Sequence, residues 1–425
     1  CTFLNNSAQH GGGGLFIFSR QGAVATVDVE NCQFEGNSAH SGGGMYLFAQ
    51  GGTLTTDVSQ TDFTGNAVTN IGGALGIYSE LNGSNITANL EEGLFTGNLT
   101  ALKGGALGNL GLKGGLAQLN VKKCRFNENL ATQFGSALCA ESNTRSFTYP
   151  GTYTQTNMEN CIIYRNNRSV RGGGLYNSAT NGAVCLLNLR HVTVARNNAQ
   201  LGPGLFNNAV FPAQATVNLT NSVFWGNPPT APATKLFYNL GSGATIFSRH
   251  CSLQEAAMAS NEVGSGAFII QEGNIAGDPM FVDFLGGDLV PQNTSPLRDA
   301  GMVLPITEDF RSNPRPQGSA PDIGAYELGA AGVAPRVALP TEGAAVPAFD
   351  LFPNPSTGAF TLSFDREVTG FAQVFDVQGR LVTSMQLNGA NQAQFDLGKV
   401  ATGTYLVRIV DGETVTTKQI VVTRP

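Results

Sequence analysis

Three sets of residues in this chain have the types that catalysis or metal binding requires. The first is a series of acids and bases at outward, strand-like positions: Asp28, Glu30, Asp57, Glu91, Glu92, Lys122, Lys123, Glu159 and Arg190. A polysaccharide lyase needs acids on adjacent levels to hold Ca²⁺, with an Arg or Lys base, and a glycosidase needs two carboxylates at a set separation. These acids do not concentrate beside a basic partner, so no catalytic residue is assigned. The second set, Asp299, Asp309, Arg311, Arg315 and Asp322, lies in a terminal stretch off the repeating strands and reads as salt-bridged closure. The third is His10 and His40, at equivalent positions of two repeats and without further ligands, so no metal and no cofactor is expected. The run Gly11–Gly14 is followed by Leu15-Phe16-Ile17, which fits neither a phosphate loop nor a calcium-binding glycine repeat.

One frame positions all of these residues. An apolar anchor is followed three residues later by Asn, then by a small-residue triplet and Leu or Met. The anchors Phe3, Phe34, Phe63, Phe95 and Phe126 pair with Asn6, Asn37, Asn66, Asn98 and Asn129. Weaker copies stand at Ile163…Asn166, Val194…Asn197 and Phe224…Asn227. The step is about 30 residues, stretched once to roughly 37, and a fixed period of this size marks stacked units that bury their apolar residues only against their neighbours.

Within a repeat the alternation has period two: Val27 and Val29 against Asp28 and Glu30, Cys32 and Phe34 against Gln33, Met45 and Leu47 against Tyr46 and Phe48. Three strands per coil are expected, stacked in parallel with right-handed crossovers. The expected fold is all-β, a right-handed parallel β-helix followed by a small antiparallel Ig-like β-sandwich. The Phe anchors form one interior column, and Leu15, Met45, Leu75, Leu107, Leu138, Leu175 and Leu205 form another. The Asn column is expected to hydrogen-bond to the backbone and to the coils above and below. Cys1, Cys32, Cys124, Cys161 and Cys251 share a slot with Thr61, Val192 and Ser222, so they read as small core residues. Rung disulfides at Cys1–Cys32 or Cys124–Cys161 are the alternative.

The bulk composition fits this picture. Charged residues make up 13% of 425, glycine reaches 54, and the net charge is −6. An acidic chain without a basic patch is no nucleic-acid binder. No apolar run is long enough to span a bilayer, and no secretory signal opens the sequence. Cys1-Thr2-Phe3 falls in mid-repeat, so the sequence is expected to be part of a longer or processed product.

The frame resembles the repeats of polymorphic outer-membrane proteins, which pair FxxN with GGA and an aliphatic residue. Gly72-Gly73-Ala74-Leu75 and Gly104-Gly105-Ala106-Leu107 match outright, over about residues 1–227. Farther on, Asp299-Ala300-Gly301 and Asp322-Ile323-Gly324-Ala325-Tyr326-Glu327 resemble the closing segment of bacterial surface β-helix proteins of the choice-of-anchor Q type. The expected division is a β-helix over 1–328 with a cap at about 254–328, a linker at 329–350, and a second domain at 351–425. The cap is expected to cover the exposed strand edges of the last coil.

Residues 351–425 read as about seven short strands, including Phe360–Phe364, Ala372–Val377, Arg380–Leu387 and Ala393–Leu397. The region resembles the type A C-terminal sorting domain of the type IX secretion system of Bacteroidota. The matching elements are Phe352-Pro353-Asn354-Pro355, Val374 to Arg380, Gly403-Thr404-Tyr405-Leu406-Val407-Arg408 and Lys418 to Val422. The resemblance marks Pro353, Asn354, Pro355, Gly379, Gly403, Tyr405 and Lys418 as the sorting signal. It implies export across the outer membrane, recognition by the translocon and an outer-membrane shuttle protein, and usually removal by a sortase with attachment to a surface lipopolysaccharide.

One surface feature stands apart. If the Leu15/Met45/Leu75 column points inward, Phe16, Phe18, Tyr46, Phe48 and Tyr78 point outward on adjacent rungs, with Tyr176 and Phe206 extending the stripe. Such aromatics suit sugar stacking or protein docking, unless other parts of the chain cover them. The expected function is a non-catalytic adhesin or surface-assembly protein at the outer face of the outer membrane, with glycans or other surface proteins as partners. The alternatives are a surface polysaccharide-degrading enzyme and a structural subunit that keeps its sorting domain.

Overall fold

The structure, a computed structural model, describes residues 1–145, 151–228, 236–254, 266–329, 349–376, 381–398, 400–411 and 414–423. Part of the expected linker (330–348), Gln378-Gly379 and Gly412 lie outside the described residues.

The repeating strands stack into three long parallel sheets. The anchor sheet has nine strands, from Thr2–Leu4 to Ser252–Leu253. The leucine sheet has eight, from Leu15–Arg20 to Phe237–Leu240, and the third sheet nine, from Val24–Glu30 to Ala267–Ile270. A corner sheet of four short strands, Ser38–Ser41, Ala67–Ile71, Leu99–Thr100 and Leu130–Ala131, follows the Asn positions.

Register is held coil after coil. Phe3 faces Phe34, Phe34 faces Phe63, Phe63 faces Phe95 and Phe95 faces Phe126. Their rings stack at 4.4, 4.8, 5.0 and 4.8 Å, close to the strand spacing. Leu15, Met45, Leu75, Leu107, Leu138, Leu175, Leu205 and Phe237 align in the same way. The two columns and the inward residues of the third sheet form one continuous core. Burial, rather than disulfides, explains the cysteines: all seven are free, and only Cys1 is exposed. Desolvation pushes the Cys124 thiol up to about 12, so it stays protonated and inert.

The Asn column is the polar spine of this core. Asn66 donates from its backbone N–H and from Nδ2 to Asn98 Oδ1 at 3.0 and 2.9 Å, and Nδ2 also donates to Phe34 O at 2.8 Å. The same pattern runs through Asn37, Asn98, Asn129, Asn166 and Asn197. The amide-to-amide step is therefore independent of coil length. The glycines beside it have no alternative. Gly72 sits at φ +66°, and a Cβ on Gly73 would lie 2.1 Å from Gly105 O.

Among the described residues the C-terminal domain is a five-stranded antiparallel sheet, with fewer and longer strands than expected. Phe360–Phe364 and Ala372–Val377 fall largely within one strand, Ala359–Asp376, and the next two expected strands within Leu381–Asp396. Register shifts between Ser363 and Thr369 let the long strands bend. A separate core forms around Phe360, Leu362, Val374, Val407 and Ile409.

Removing either component of the β-helix spine should be costly. Phe63→Ala is expected to lose about 3–5 kcal/mol through cavity formation. Asn98→Ala orphans the donors of Asn66 and should lose at least about 1–3 kcal/mol. Urea unfolding of each variant checks this; an unchanged midpoint would contradict the ladder.

Candidate functional surfaces

Each outward side of the β-helix has its own fate. On the anchor sheet the outward residues change character along the rod. They are polar in the early coils, at Gln33, Asp62, Glu35 and Thr64, and apolar later, at Ile162, Tyr164, Ala195 and Val223. The later ones are buried against Phe281, Leu289, Leu297, Phe310, Ile323 and Tyr326. Within the closing segment, expected as an end cap, Ala267–Ile270 and Ile275 add to the edge of the last coil, while residues 281–326 lie as a strap along the flank, packed on its apolar outward residues.

The strap runs along a column of corner residues with positive φ. Lys123, Asn160, His191, Asn221 and His250 have φ of 48–53° and point their side chains at it. Lys123 Nζ meets Glu308 at 2.5 Å, and Asn160 donates to Glu308 O at 2.7 Å. Asn221 donates to Met302 O at 2.7 Å and accepts from its N–H at 2.9 Å, and His250 Nδ1 is 3.0 Å from Ala300 O. His191 is fully buried between Arg315 Nη1, 2.7 Å from Nδ1, and Asn221 Nδ2, 3.0 Å from Nε2. Burial and the adjacent guanidinium hold the imidazole well below its ordinary range, so it is neutral.

The expected salt-bridged closure is only partly ionic. Arg315 pairs with Glu327 at 3.1 Å, both side chains fully buried. The other carboxylates mostly accept backbone N–H groups. Asp309 accepts from Arg311, Asn313 and Glu327, Asp322 from Asp299 and Leu328, and Asp299 from Ala320. These short carboxylates fix tight turns. Burial holds the carboxyls of Asp322 and Glu327 above their ordinary values.

On the third sheet two of the outward acids are paired rung to rung: Lys122 with Glu91 at 3.0 Å and Arg190 with Glu159 at 3.0 Å. Next to them runs a second amide ladder that sequence reading missed. Asn218, Asn188, Asn157, Asn120 and Asn89 each donate to the residue one coil earlier, ending on the carboxylate of Asp57, at 2.7–2.8 Å. Its signal was the recurrence of Asn two residues before Glu91, Lys122, Glu159 and Arg190. His40 Nδ1 bonds Thr69 Oγ1 at 2.9 Å. Among the described residues no group of His, Cys, Asp and Glu could hold a metal ion.

The leucine sheet presents the aromatic stripe. Phe16 and Phe18 are 47% and 41% exposed, and Tyr46, Phe48 and Tyr78 are half-buried. Phe16 stacks on Tyr46 at 5.5 Å and Phe18 on Phe48 at 5.0 Å, and Tyr78 meets Phe48 edge-on at 5.4 Å. Near-parallel rings this close overlap face to face, so the stacked rings present mainly edges to solvent. Tyr176 and Phe206 do not extend the exposed stripe. They are buried, 6% and 0% exposed, in a cluster with Phe134, Leu201 and Tyr238.

The sorting-motif residues build the edge of the C-terminal domain. Asn354 donates to Gln419 O and accepts from Val421 N, both at 2.9 Å, fastening the Pro353–Pro355 turn to the last strand. Tyr405 donates to Ala401 O at 2.8 Å, Gly403 faces Val422, and Lys418 pairs with Asp350 at 2.9 Å above the Phe349 ring. Gly379 lies outside the described residues.

Residues 350–423 match the secretion system C-terminal sorting domain family. Residues 1–17 match the Chlamydia polymorphic membrane protein repeat. No curated protein matches the chain. The fold and the tail define a class: a parallel β-helix with an export domain behind it. More particularly, this is a β-helix protein sorted by the type IX secretion system for secretion and attachment at the cell surface.

Two outcomes follow for the strap. Arg315→Met leaves the Glu327 carboxylate buried without its ion pair and should lose about 3–5 kcal/mol in urea unfolding. The His191 term has a definite sign. An unfolded imidazole takes up a proton near 6.5, but the folded one only well below that, so its stabilisation is complete above 6.5 and lost as the pH falls. His191→Asn suits the corner conformation of Asn160 and Asn221 and should flatten this slope. Asp322, Glu327 and Arg315 are common to both proteins and cancel. Unfolding midpoints from about pH 7.5 to about pH 5.5 should fall more steeply in the parent chain.

Proposed function

We propose that the type IX translocon and its outer-membrane shuttle protein recognise residues 351–425 and carry the chain to the outer face of the outer membrane of a Bacteroidota cell. There residues 1–328 serve as a rigid, non-catalytic surface for adhesion or assembly. The match of residues 350–423 to a sorting domain carries this reading. The side-chain chemistry supports its non-catalytic part, because Glu91 and Glu159 are engaged in ion pairs, Asp57 in an amide ladder and Asp309 in a backbone turn. Phe16, Phe18, Tyr46, Phe48 and Tyr78 form the candidate contact surface. With stacked rings showing their edges, they favour an apolar protein surface over a flat-lying sugar.

Deleting residues 351–425 in a type IX-competent host should leave the protein inside the cell, as surface labelling would show. Surface display without the tail would overturn the sorting role. A polysaccharide-degradation screen on the full chain should show no depolymerisation, and product formation would establish the enzyme reading instead. Phe48→Ala with Tyr78→Ala should weaken attachment of displaying cells to their target surface without reducing display.

A further inference from the structure

We propose that the outward side of the corner sheet is a seat for the chain's own C-terminal domain, which rests on reading residues 350–423 as a sorting domain. One outward column of the corner, read by register, runs Ser7, Ser38, Ala67, Leu99, Leu130, Asn167. It is polar at both ends and apolar over three successive coils. These residues directly follow the inward Asn66, Asn98 and Asn129, so alternation turns them away from the core. They are nevertheless only 3%, 3% and 7% exposed. The residue packed on them is Leu406, from the strand Gly403–Asp411 of the C-terminal domain. Gln373 adds a hydrogen bond from Nε2 to Gly65 O at 3.3 Å, one residue before Asn66.

The C-terminal domain shows the complementary pattern. Ala372, Val374, Val407 and Ile409 face its own core, so Gln373, Leu406 and Arg408 stand on the opposite side of the sheet. Gln373 and Arg408 are cross-strand neighbours that would be solvated on a free domain, yet they are 0% and 1% exposed. Burial lowers the Arg408 guanidinium to about 9. Leu406 and Arg408 belong to the Gly403–Arg408 stretch of the sorting motif. A seated domain withholds them from the export machinery, and recognition requires that the domain leave its seat.

The test uses the full chain with Cys1→Ser, because the other six cysteines are buried. Gln373→Cys should react with a maleimide slowly, and at least about tenfold faster when Leu99→Asn and Leu130→Asn are added, since labelling then no longer waits on opening. The column already carries Ser38 and Asn167, so the coils accept polar residues there. Equal rates would overturn the seat. A second measurement does not depend on that variant: Leu406→Asn alone should also speed labelling of Gln373→Cys, and an unchanged rate would overturn the proposal. Export after tail deletion separates the two readings. Equal labelling with export lost removes the seat alone, and a protected thiol with export intact removes the sorting role alone.

Discussion

The interior asparagine ladder is the interaction on which the rest of the molecule depends. Each Asn amide spends one N–H on the next Asn and the other on an anchor carbonyl, while its oxygen takes two donors from the preceding coil. Slipping one coil by a single residue would orphan all of these groups in a dry core, at the cost of a buried unsatisfied group each time. The ladder thus fixes where each coil begins and leaves the distance around it free. The longest complete coil shows this: the Asn129–Asn166 bond is 2.9 Å across 37 residues.

With the interior fixed, function is left to the outside. Outward residues at one register position are free to differ from coil to coil, and they do so in blocks. Ile162, Tyr164 and Val223 receive the strap, Ala67, Leu99 and Leu130 receive the C-terminal domain, and Phe16 to Tyr78 remain partly open. On the third sheet Glu91 with Lys122 and Glu159 with Arg190 neutralise one another between rungs. The outer amide ladder is satisfied coil to coil in the same way and keeps that face polar.

How much of this was legible in the sequence depended on whether a residue acts through the repeat. Phe34, Asn66 and Leu75 were placed correctly because their role is set by period and alternation alone. The outer Asn89–Asn218 series carried the same kind of signal, but it lies between charged residues that drew attention first. Tyr176 and Phe206 looked like the open stripe, and only three-dimensional packing buries them with Phe134. The course of residues 281–327 could not be read from spacing, since it is set by contacts such as Arg315 with His191 across 124 positions. The acids of that segment were identified as structural, but their bonding to backbone N–H groups follows from turn geometry that a composition-based reading leaves open.

The strap also changes how the rod must come apart. A stack in which each level touches only its neighbours melts piecemeal, fraying from either tip. By gripping corner residues from Lys123 to His250, the strap fastens successive levels to one external tie, so that stretch opens as a block. One added segment thereby gives a run of levels in a repetitive solenoid a shared fate.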